Sequence, residues 1–312
     1  MTILDRVFNR PVIRVRALSV ALLCGAGLCG LCASARTLSV TDDTGAQIAV
    51  PAPPLRIASL APSATALLFA AGAGAQVIAT TEYSLEPPAA GRIARLGDAS
   101  ALDLERLVAL HPDVVIAWPD GENPAETARI GRLGIPVYRE KVERLADLGG
   151  SIRRLGELAG TRAAAERAAA EIDARLAALT RRYAQSRQVT VLLQVWARPI
   201  YTIGGPQPVS DALRTCGARN IFRELREPAP AVGTEAVIAR NPELITAVGS
   251  RREGERWLAM WKRFPALRAV RTGELITFDD QRLTRLGPGM LDATQALCER
   301  IDQARREIAA RR

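Results

Sequence analysis

The sequence predicts an α/β protein of two lobes, each built on a parallel sheet, with one long helix joining them. The first observation is an internal repeat: residues 105–118 and 235–248 share a glutamate, a proline seven positions later, an acidic residue and an apolar β-type run. The second is the alternation of apolar runs with helical segments, which is typical of parallel sheets covered on both faces. The third is the absence of Pro and Gly from residues 161–185.

The elements of the first lobe, which we place at residues 36–160, follow a regular order. They are a hairpin at 37–50, strands at 56–60, 77–80, 114–118 and 135–138, and helices at 64–71, 124–133 and 144–159. Ser63 is placed to cap the first of these helices. Gly72 and Gly74 follow that helix, so they are its C-terminal cap and not a nucleotide-binding loop, whose glycines stand between a strand and a helix.

A long helix is predicted to join the lobes within residues 161–187. Its apolar positions recur at helical spacing, at Ala165, Ala169, Ile172, Leu176 and Leu179. With about 1.5 Å per residue it spans roughly 37 Å, enough to run along both lobes. The second lobe, at residues 188–312, has strands at 189–195, 244–248 and 275–278, and helices at 209–215, 257–264 and 288–310.

The N-terminus has the pattern of a secretory signal peptide. An apolar stretch at residues 17–32 follows four arginines and ends in small residues at 33–35. We predict cleavage after Ala35 and export of a soluble chain. A retained membrane anchor is the alternative.

The formal net charge is +9, and it falls to +6 when the predicted signal peptide, with four arginines and one aspartate, is removed; the remaining surplus comes from arginines scattered along helices, such as Arg153 and Arg154. A nucleic-acid partner requires clustered basic residues interleaved with aromatic ones. We therefore expect a solvated basic surface and no nucleic-acid partner.

Cys216 and Cys298 are the two cysteines that remain after the predicted cleavage. In an oxidising compartment a disulfide between them is the default expectation. A pair of buried free thiols is the alternative.

The sequence lacks the usual motifs of catalysis. His111 is the single histidine, and because Asn241 is its counterpart in the repeat, we interpret it as a turn residue. One histidine and two distant cysteines disfavour a transition-metal site made only of protein ligands, and no serine-nucleophile, zinc-protease or phosphate-loop motif appears. We expect a binding protein with no intrinsic cofactor and no metal site; an exported two-domain α/β enzyme is the alternative.

Aromatic residues are scarce, and four of them follow strand ends: Tyr83, Trp118, Trp196 and Tyr201. Ligands of parallel α/β sheets bind beyond the carboxyl ends of the strands, so these side chains are candidates for a ligand cleft. Arg285, just before the last helix, is placed to offer a cation to the same cleft. Core or rim packing is the alternative for each aromatic residue, and solvation for the arginine.

Glu105 and Glu235 open the two copies of the repeat, 130 residues apart. A carboxylate at the start of a short helix is favoured by the helix dipole and can remain exposed. One glutamate in the same place on each lobe suggests a partner of pseudo-twofold symmetry. Two ordinary helix-start glutamates are the alternative.

The mature chain resembles the periplasmic substrate-binding proteins of ABC importers for vitamin B12, haem and ferric siderophores, most closely the cobalamin-binding branch. The resemblance covers nearly the whole mature chain. The matching stretches are residues 56–63, 104–110, 115–118, 216–222 and 293–298.

The resemblance implies two Rossmann-like lobes joined by a rigid helix, the class III binding-protein architecture, in a periplasmic protein that is a monomer. It implies capture of a corrinoid, cobalamin (vitamin B12), and delivery to an ABC permease dimer with its ATPase. Haem or a ferric siderophore is the alternative ligand.

Tyr83, Trp118 and Arg285 match ligand-contacting positions of the cobalamin-binding branch, and Tyr201 stands where an aromatic residue is also found. Other pocket positions depart from the branch, since small side chains replace the expected large aromatics at Ala99, Val195 and Ala229. The resemblance therefore implies the class of function more firmly than the ligand.

The resemblance also gives roles to the two glutamates and the two cysteines. Glu105 and Glu235 fall where the family places the carboxylates that dock onto arginines of the permease. Cys216 and Cys298 fall where the cobalamin-binding branch has a disulfide.

Overall fold

Two sheets, one in each half of the chain, carry the fold. The computed structural model describes residues 37–98, 101–121 and 123–311. The predicted signal peptide and its cleavage site after Ala35 lie outside the described residues. Among the helices described, none is long and apolar enough to cross a membrane.

The strands and helices alternate as the sequence predicts. The strands are Thr37–Thr41 (β1), Gln47–Pro51 (β2), Ile57–Ser59 (β3), Val77–Thr80 (β4), Ala94–Arg95 (β5), Gly97–Asp98 (β6), Ala101–Leu102 (β7), Val114–Ala117 (β8), Val137–Arg139 (β9), Val189–Ala197 (β10), Ile200–Thr202 (β11), Ala218–Asn220 (β12), Ala231–Val232 (β13), Leu244–Val248 (β14) and Leu275–Phe278 (β15). The helices are Pro62–Ala70 (α1), Leu104–Ala109 (α2), Pro124–Arg132 (α3), Leu148–Leu158 (α4), Arg162–Tyr183 (α5), Pro208–Thr215 (α6), Thr234–Arg240 (α7), Arg251–Ala259 (α8), Arg268–Arg271 (α9) and Gly289–Ala310 (α10).

The two lobes share the order of four parallel strands, and the first lobe adds β5 at the edge. The first sheet is parallel throughout, in the order β5-β4-β3-β8-β9, and the parallel part of the second runs β12-β10-β14-β15. The central strands β8 and β14 are buried along their whole length, because helices cover both faces of each sheet. The predicted α/β fold class, with two sheets and a long helix between them, is confirmed.

The internal repeat is a repeat of structure. Helix α2 leads into β8 and helix α7 leads into β14. The turns between them contain His111 and Asn241, whose φ angles of 45° and 42° lie in the left-handed region. Both residues have the same backbone role, so the interpretation of His111 as a turn residue is confirmed.

The second sheet departs from the prediction of parallel strands only. Strand β10 continues to Ala197, and the chain turns back through Arg198 and Pro199 into β11, which pairs with it antiparallel. The amino half of β10 pairs with β12 and its carboxyl half with β11, while β13 extends the edge. A nine-residue strand is long enough for two neighbours on one side, which the apolar run at 189–195 alone did not reveal.

Helix α5 is braced by both lobes. The Cβ atom that an alanine would place at Gly156 of α4 would lie 2.1 Å from the Cβ of Ala165, so α4 and α5 pack with their backbones close. Arg153 of α4 binds Glu166 and Asp173 of α5, and an ion pair joins α5 to α10, between Arg175 and Asp292. The predicted apolar stripe of α5 faces the core.

The predicted disulfide between Cys216 and Cys298 is present, and both residues are fully buried. It ties the end of α6 to the middle of α10. Beside it, the Arg305 guanidinium donates to the carbonyl oxygen of Cys216 at 2.9 Å and to that of Arg187 at 2.8 Å. The disulfide thus lies within the packed interior of the second lobe.

Glu140, which follows β9, carries a fully buried carboxyl group. Its Oε1 accepts from Ser151 at 3.1 Å, while Oε2 has no partner among the described residues. Burial, followed by the nearby Asp43 carboxylate, raises the pKa of Glu140 to about 7, although Ser151 and Arg154 oppose the shift. The folded state therefore favours the protonated acid.

This raised pKa predicts that Glu140 stabilises the fold below the ordinary glutamate pKa of about 4.3 and loses that contribution as the pH rises through about 7. Glu140→Gln should raise the free energy of unfolding at pH 8 relative to wild type, by up to about 3 kcal/mol. Urea unfolding from pH 5 to 8 measures the effect, with exposed Glu171→Gln as control. In Glu140→Gln the free energy of unfolding should depend less steeply on pH than in wild type. Some dependence should remain, since Glu274 also has its pKa raised to about 7. Parallel slopes for Glu140→Gln and wild type would contradict the prediction.

Candidate functional site

A cavity of about 250 Å³ lies between the two lobes, where strands of both sheets end. Its lining comes from loops that follow strands and from the first turns of helices, as expected for a ligand site in parallel α/β sheets. The lining residues are Pro62, Ser63, Ala66, Tyr83, Leu85, Glu86, Trp118, Asp120, Val142, Gln207, Pro208, Val209, Leu283, Thr284, Arg285, Leu286 and Met290.

The loop after β4 brings Tyr83 to the cavity, where the side chain is 70% exposed. Beneath it, Ser84 is buried within hydrogen-bond distance of the hydroxyl groups of Thr65 and Thr81. Arg95 donates to the carbonyl oxygen of Thr81 at 2.7 Å and to that of Ser84 at 3.0 Å. The loop is therefore fixed from below while its aromatic ring stays open to a ligand.

Trp118 reaches the cavity from a tight turn after β8. The amide of Gly121 donates to the carbonyl oxygen of Trp118 at 3.1 Å, which closes the turn through Pro119 and Asp120. A Cβ atom at Gly121 would lie 2.3 Å from the indole ring, so the ring rests directly on this glycine backbone. Without a side chain at 121, the indole can lie flat beside the turn and present its half-buried face to the cavity.

Ser63 does not cap α1 as predicted. The helix starts two residues earlier than predicted, at Pro62, and no side chain caps it. Proline at the first helical position has no N–H that needs a partner, so a cap is less necessary there. Ser63 lies inside the helix and lines the cavity instead. Helix α6 of the second lobe likewise begins at a proline, Pro208, that lines the cavity.

Arg285 forms the polar part of the second lobe's wall. Its Nη2 atom donates to Oε1 of Gln281 at 2.8 Å. Its Nη1 atom lies 4.0 Å from Oε1 of Glu86 across the cavity, and both side chains are about half exposed, so this ion pair is weak. The guanidinium is therefore available to a ligand.

Carboxylates outnumber cations in the lining. Glu86 and Asp120 are the two acidic side chains, and Arg285 is the one basic side chain among the lining residues described. Lys141 stands behind Asp120, with its Nζ atom 3.8 Å from Oδ1, but it lies closer to Glu143, at 2.7 Å. The site combines aromatic and aliphatic area with a slight excess of negative charge.

Three of the five predicted ligand residues line the cavity: Tyr83, Trp118 and Arg285. Trp196 and Tyr201 do not line it. They lie side by side on the β10–β11 hairpin, where Trp196 packs against Trp257 with ring centroids 5.7 Å apart. The reason is the longer strand, since β10 runs on to Ala197 and carries Trp196 along the hairpin.

Several lining residues escaped prediction although their neighbours were identified. Glu86 lies in the loop of Tyr83, Asp120 in the turn of Trp118, and Leu286 beside Arg285. Extending each predicted residue to its whole loop would have found them. Val195 and Ala229, where aromatic residues were expected, do not line the cavity, and Ala99 lies outside the described residues.

Glu105 and Glu235 lie away from the cavity, at the second position of α2 and of α7. Both side chains are exposed. Neither carboxylate forms an ion pair within the part of the chain that the structure describes. They occupy equivalent places on the two lobes.

Comparison with known proteins identifies the family of this chain. A profile described as "Periplasmic binding protein" matches residues 57–282, from the first strand of the first sheet to the loop that carries Arg285. The chain belongs to the periplasmic binding protein family. Proteins of this family work with ABC transporter permeases, and they bind their ligands without transforming them, so the chain is a binding protein and not an enzyme.

Curated relatives of this periplasmic binding protein include the vitamin B12-binding protein of Vibrio parahaemolyticus, 31% identical over 81% of this chain and 91% of the relative. The vitamin B12-binding protein of Vibrio cholerae (strain M66-2) is 31% identical over 85% of this chain and 95% of its own length. Both similarities extend through both lobes.

Solved structures agree with the fold. The periplasmic vitamin B12 binding protein BtuF of Vibrio cholerae matches with a TM-score of 0.74 at 31% identity, over 81% of this chain and 98% of that one. The periplasmic heme-binding protein RhuT from Roseiflexus sp. RS-1 matches with a TM-score of 0.66 at 23% identity, over 80% and 98%. The second match shows the shared fold alone. Among the described residues of this periplasmic binding protein, no three His, Cys, Asp or Glu side chains come together as metal ligands.

Proposed function

We propose that the chain is the periplasmic component of an ABC importer that captures a corrinoid, cobalamin, and delivers it to a permease dimer with its ATPase. The observation that carries the proposal is the lining of the cavity. It contains the aromatic rings of Tyr83 and Trp118, and its charged side chains include two carboxylates and one guanidinium. Relatives named for vitamin B12 binding at 31% identity support the same ligand.

The charge of the cavity favours a corrinoid over haem or a ferric siderophore. The edge of a corrin ring carries amide side chains, which can donate hydrogen bonds to Glu86 and Asp120 and accept one from Arg285. Haem carries two propionates, and ferric siderophores are commonly anionic. One guanidinium facing two carboxylates is a poor match for such anions.

Haem is the second candidate because of one observation. The exposed phenol of Tyr83 is a group that can ligate haem iron. A pocket with an open tyrosine and aromatic walls can accept a porphyrin, and a heme-binding protein shares the fold.

A corrinoid is larger than a cavity of about 250 Å³, so part of it must project beyond the lining. We propose that the exposed pair Trp196 and Tyr201 on the β10–β11 hairpin packs against this projecting part. Trp196 is 53% exposed, which leaves much of its indole free to bury apolar area.

Calorimetric titration of the purified protein with cyanocobalamin, haemin and a ferric hydroxamate siderophore tests the ligand. We expect binding of cyanocobalamin with at least a hundredfold preference over the other two. Preferential binding of haemin with a tyrosinate-type iron spectrum that Tyr83→Phe removes would support the second candidate and contradict the first.

Trp118→Ala should weaken cyanocobalamin binding at least tenfold, about 1.4 kcal/mol, because the lost indole buries apolar area worth about 25 cal/mol per Å². Trp118→Phe, which keeps a ring over Gly121, should retain most of the affinity. Trp196→Ala tests the hairpin separately and should cause a smaller loss. Unchanged affinity in Trp118→Ala would place the ligand elsewhere.

We propose that the mature chain begins after Ala35, following removal of a signal peptide by the export machinery. Intact-mass measurement of the protein purified with detergent from whole cells gives its N-terminus directly. A mass that includes residues 1–35 would favour the membrane-anchored alternative.

We propose that Glu105 and Glu235 dock onto cations of the permease dimer. Their exposure, their lack of an ion partner within the described chain and their equivalent positions on the two lobes support this role. A carboxylate that meets an arginine forms a charge-assisted, bidentate pair, which fixes orientation as well as adding affinity.

A further inference from the structure

An exposed aliphatic side chain lies beside each of these glutamates. Val108 and Ile238 each follow the glutamate of their helix by three positions, and each is 39% exposed. Residues three apart are neighbours on one face of a helix. We call Glu105 with Val108 the α2 surface, and Glu235 with Ile238 the α7 surface.

The two surfaces are structural copies. Leu107 and Val237, the residues just before the exposed aliphatic side chains, are both fully buried. A residue with left-handed backbone follows each helix, two positions after the last residue of α2 at His111 and directly after α7 at Asn241. The helices therefore sit on their lobes with the same rotation, and each turns one carboxylate and one branched apolar side chain to the solvent.

The arginines of these helices do not neutralise the glutamates. Arg240 is engaged elsewhere, since it binds Glu224 at 2.5 Å and lies over the Phe222 ring, 4.4 Å from its centroid. Arg106 is adjacent to Glu105 in sequence, and residues one apart on a helix do not face each other. Each surface thus presents a carboxylate without a cationic partner on its own helix, next to an exposed aliphatic side chain.

We propose that Val108 and Ile238 extend the docking contact of the two glutamates, each entering an apolar recess beside the cation on one half of a protein partner of two-fold symmetry. The inference rests on the proposed function, in which that partner is the permease dimer. A second copy of this chain fits poorly, because any pairing of these surfaces between copies would bring glutamate against glutamate.

The two kinds of side chain contribute differently to such an interface. The charge pairs set orientation and are weakened by salt, whereas burial of the aliphatic side chains is non-directional and insensitive to screening. The affinity for the partner should therefore have two contributions. One depends on the glutamates and falls with salt, and the other depends on Val108 and Ile238 and does not.

The test uses the double variant Val108→Ser/Ile238→Ser and the importer's permease and ATPase reconstituted in lipid vesicles. The apparent affinity of the binding protein is read from stimulated ATP hydrolysis at low and at high salt. We expect at least a tenfold loss, about 1.4 kcal/mol, at both salt concentrations. Affinity for cyanocobalamin and the unfolding temperature should stay unchanged. Leu55→Ser/Leu133→Ser, which removes two other exposed aliphatic side chains, is the matched control and should behave as wild type.

Importer affinity equal to wild type in Val108→Ser/Ile238→Ser, or an equal loss in the control pair, would overturn the inference. So would a wild-type dimer in sedimentation velocity that the Val108 and Ile238 substitutions dissociate, since the surfaces would then bind a second copy. Failure of the proposed function would appear separately, as wild-type protein that binds none of the three ligands or does not stimulate the importer.

Discussion

Glu105→Ala together with Glu235→Ala is expected to abolish ligand-stimulated ATP hydrolysis by the reconstituted importer while leaving cyanocobalamin affinity unchanged. The two carboxylates are exposed and lie outside the cavity lining, so ligand binding does not depend on them. Truncating one partner of a close interfacial charge pair costs about 2–5 kcal/mol. Loss of two pairs should therefore lower importer affinity by three orders of magnitude or more.

Two further variants sharpen this prediction. Glu171→Ala with Glu299→Ala removes two exposed glutamates elsewhere on the surface and should stimulate the importer normally. Each single variant, Glu105→Ala or Glu235→Ala, should show a partial loss, because one lobe can still dock. Normal stimulation by the Glu105/Glu235 double variant would contradict the docking role, and the internal repeat would then reflect gene duplication alone.

Replacing Cys216 and Cys298 together with alanine is expected to lower the free energy of unfolding by about 4 kcal/mol. The bond links residues 82 positions apart, and closing a loop of that length stabilises the fold by roughly 4–5 kcal/mol through the entropy of the unfolded chain. Urea unfolding of the oxidised protein and the variant measures the difference.

Reduction provides the control for the disulfide. A thiol reductant should move the wild-type unfolding curve toward that of the Cys216→Ala/Cys298→Ala variant and leave the variant's own curve in place. Coincident curves for oxidised wild type and the variant would contradict the expected stabilisation.

The sequence predicted best the elements whose signals are local. Helix α5 was expected at 161–185 and found at Arg162–Tyr183, because a stretch without Pro or Gly favours one helix without interruption. Strands β14 and β15 were predicted to the residue, since short apolar runs between turns have few other interpretations. The turn interpretation of His111 succeeded because its repeat counterpart gave a second example of the same turn.

The parts that depend on tertiary structure were the ones missed. Nothing local indicated that β10 would run past Val195 and fold back through Pro199, so Trp196 and Tyr201 were expected in the cavity. Gln207 and Met290 meet the first lobe's loops only when the two lobes are assembled. Each residue of a cleft between lobes depends on contacts that are distant in sequence.

The bracing of α5 has a consequence for competition at the membrane. Arg153 holds the helix from one side and Asp292 from the other, so we expect the fold, and not the ligand, to set the distance between the α2 and α7 surfaces. A copy with an empty cleft then presents the same spacing to its partner as a filled one. If the two surfaces dock as proposed, we expect empty copies to compete with filled ones for the permease, so that the rate of import follows the proportion of copies that carry ligand and not their total number.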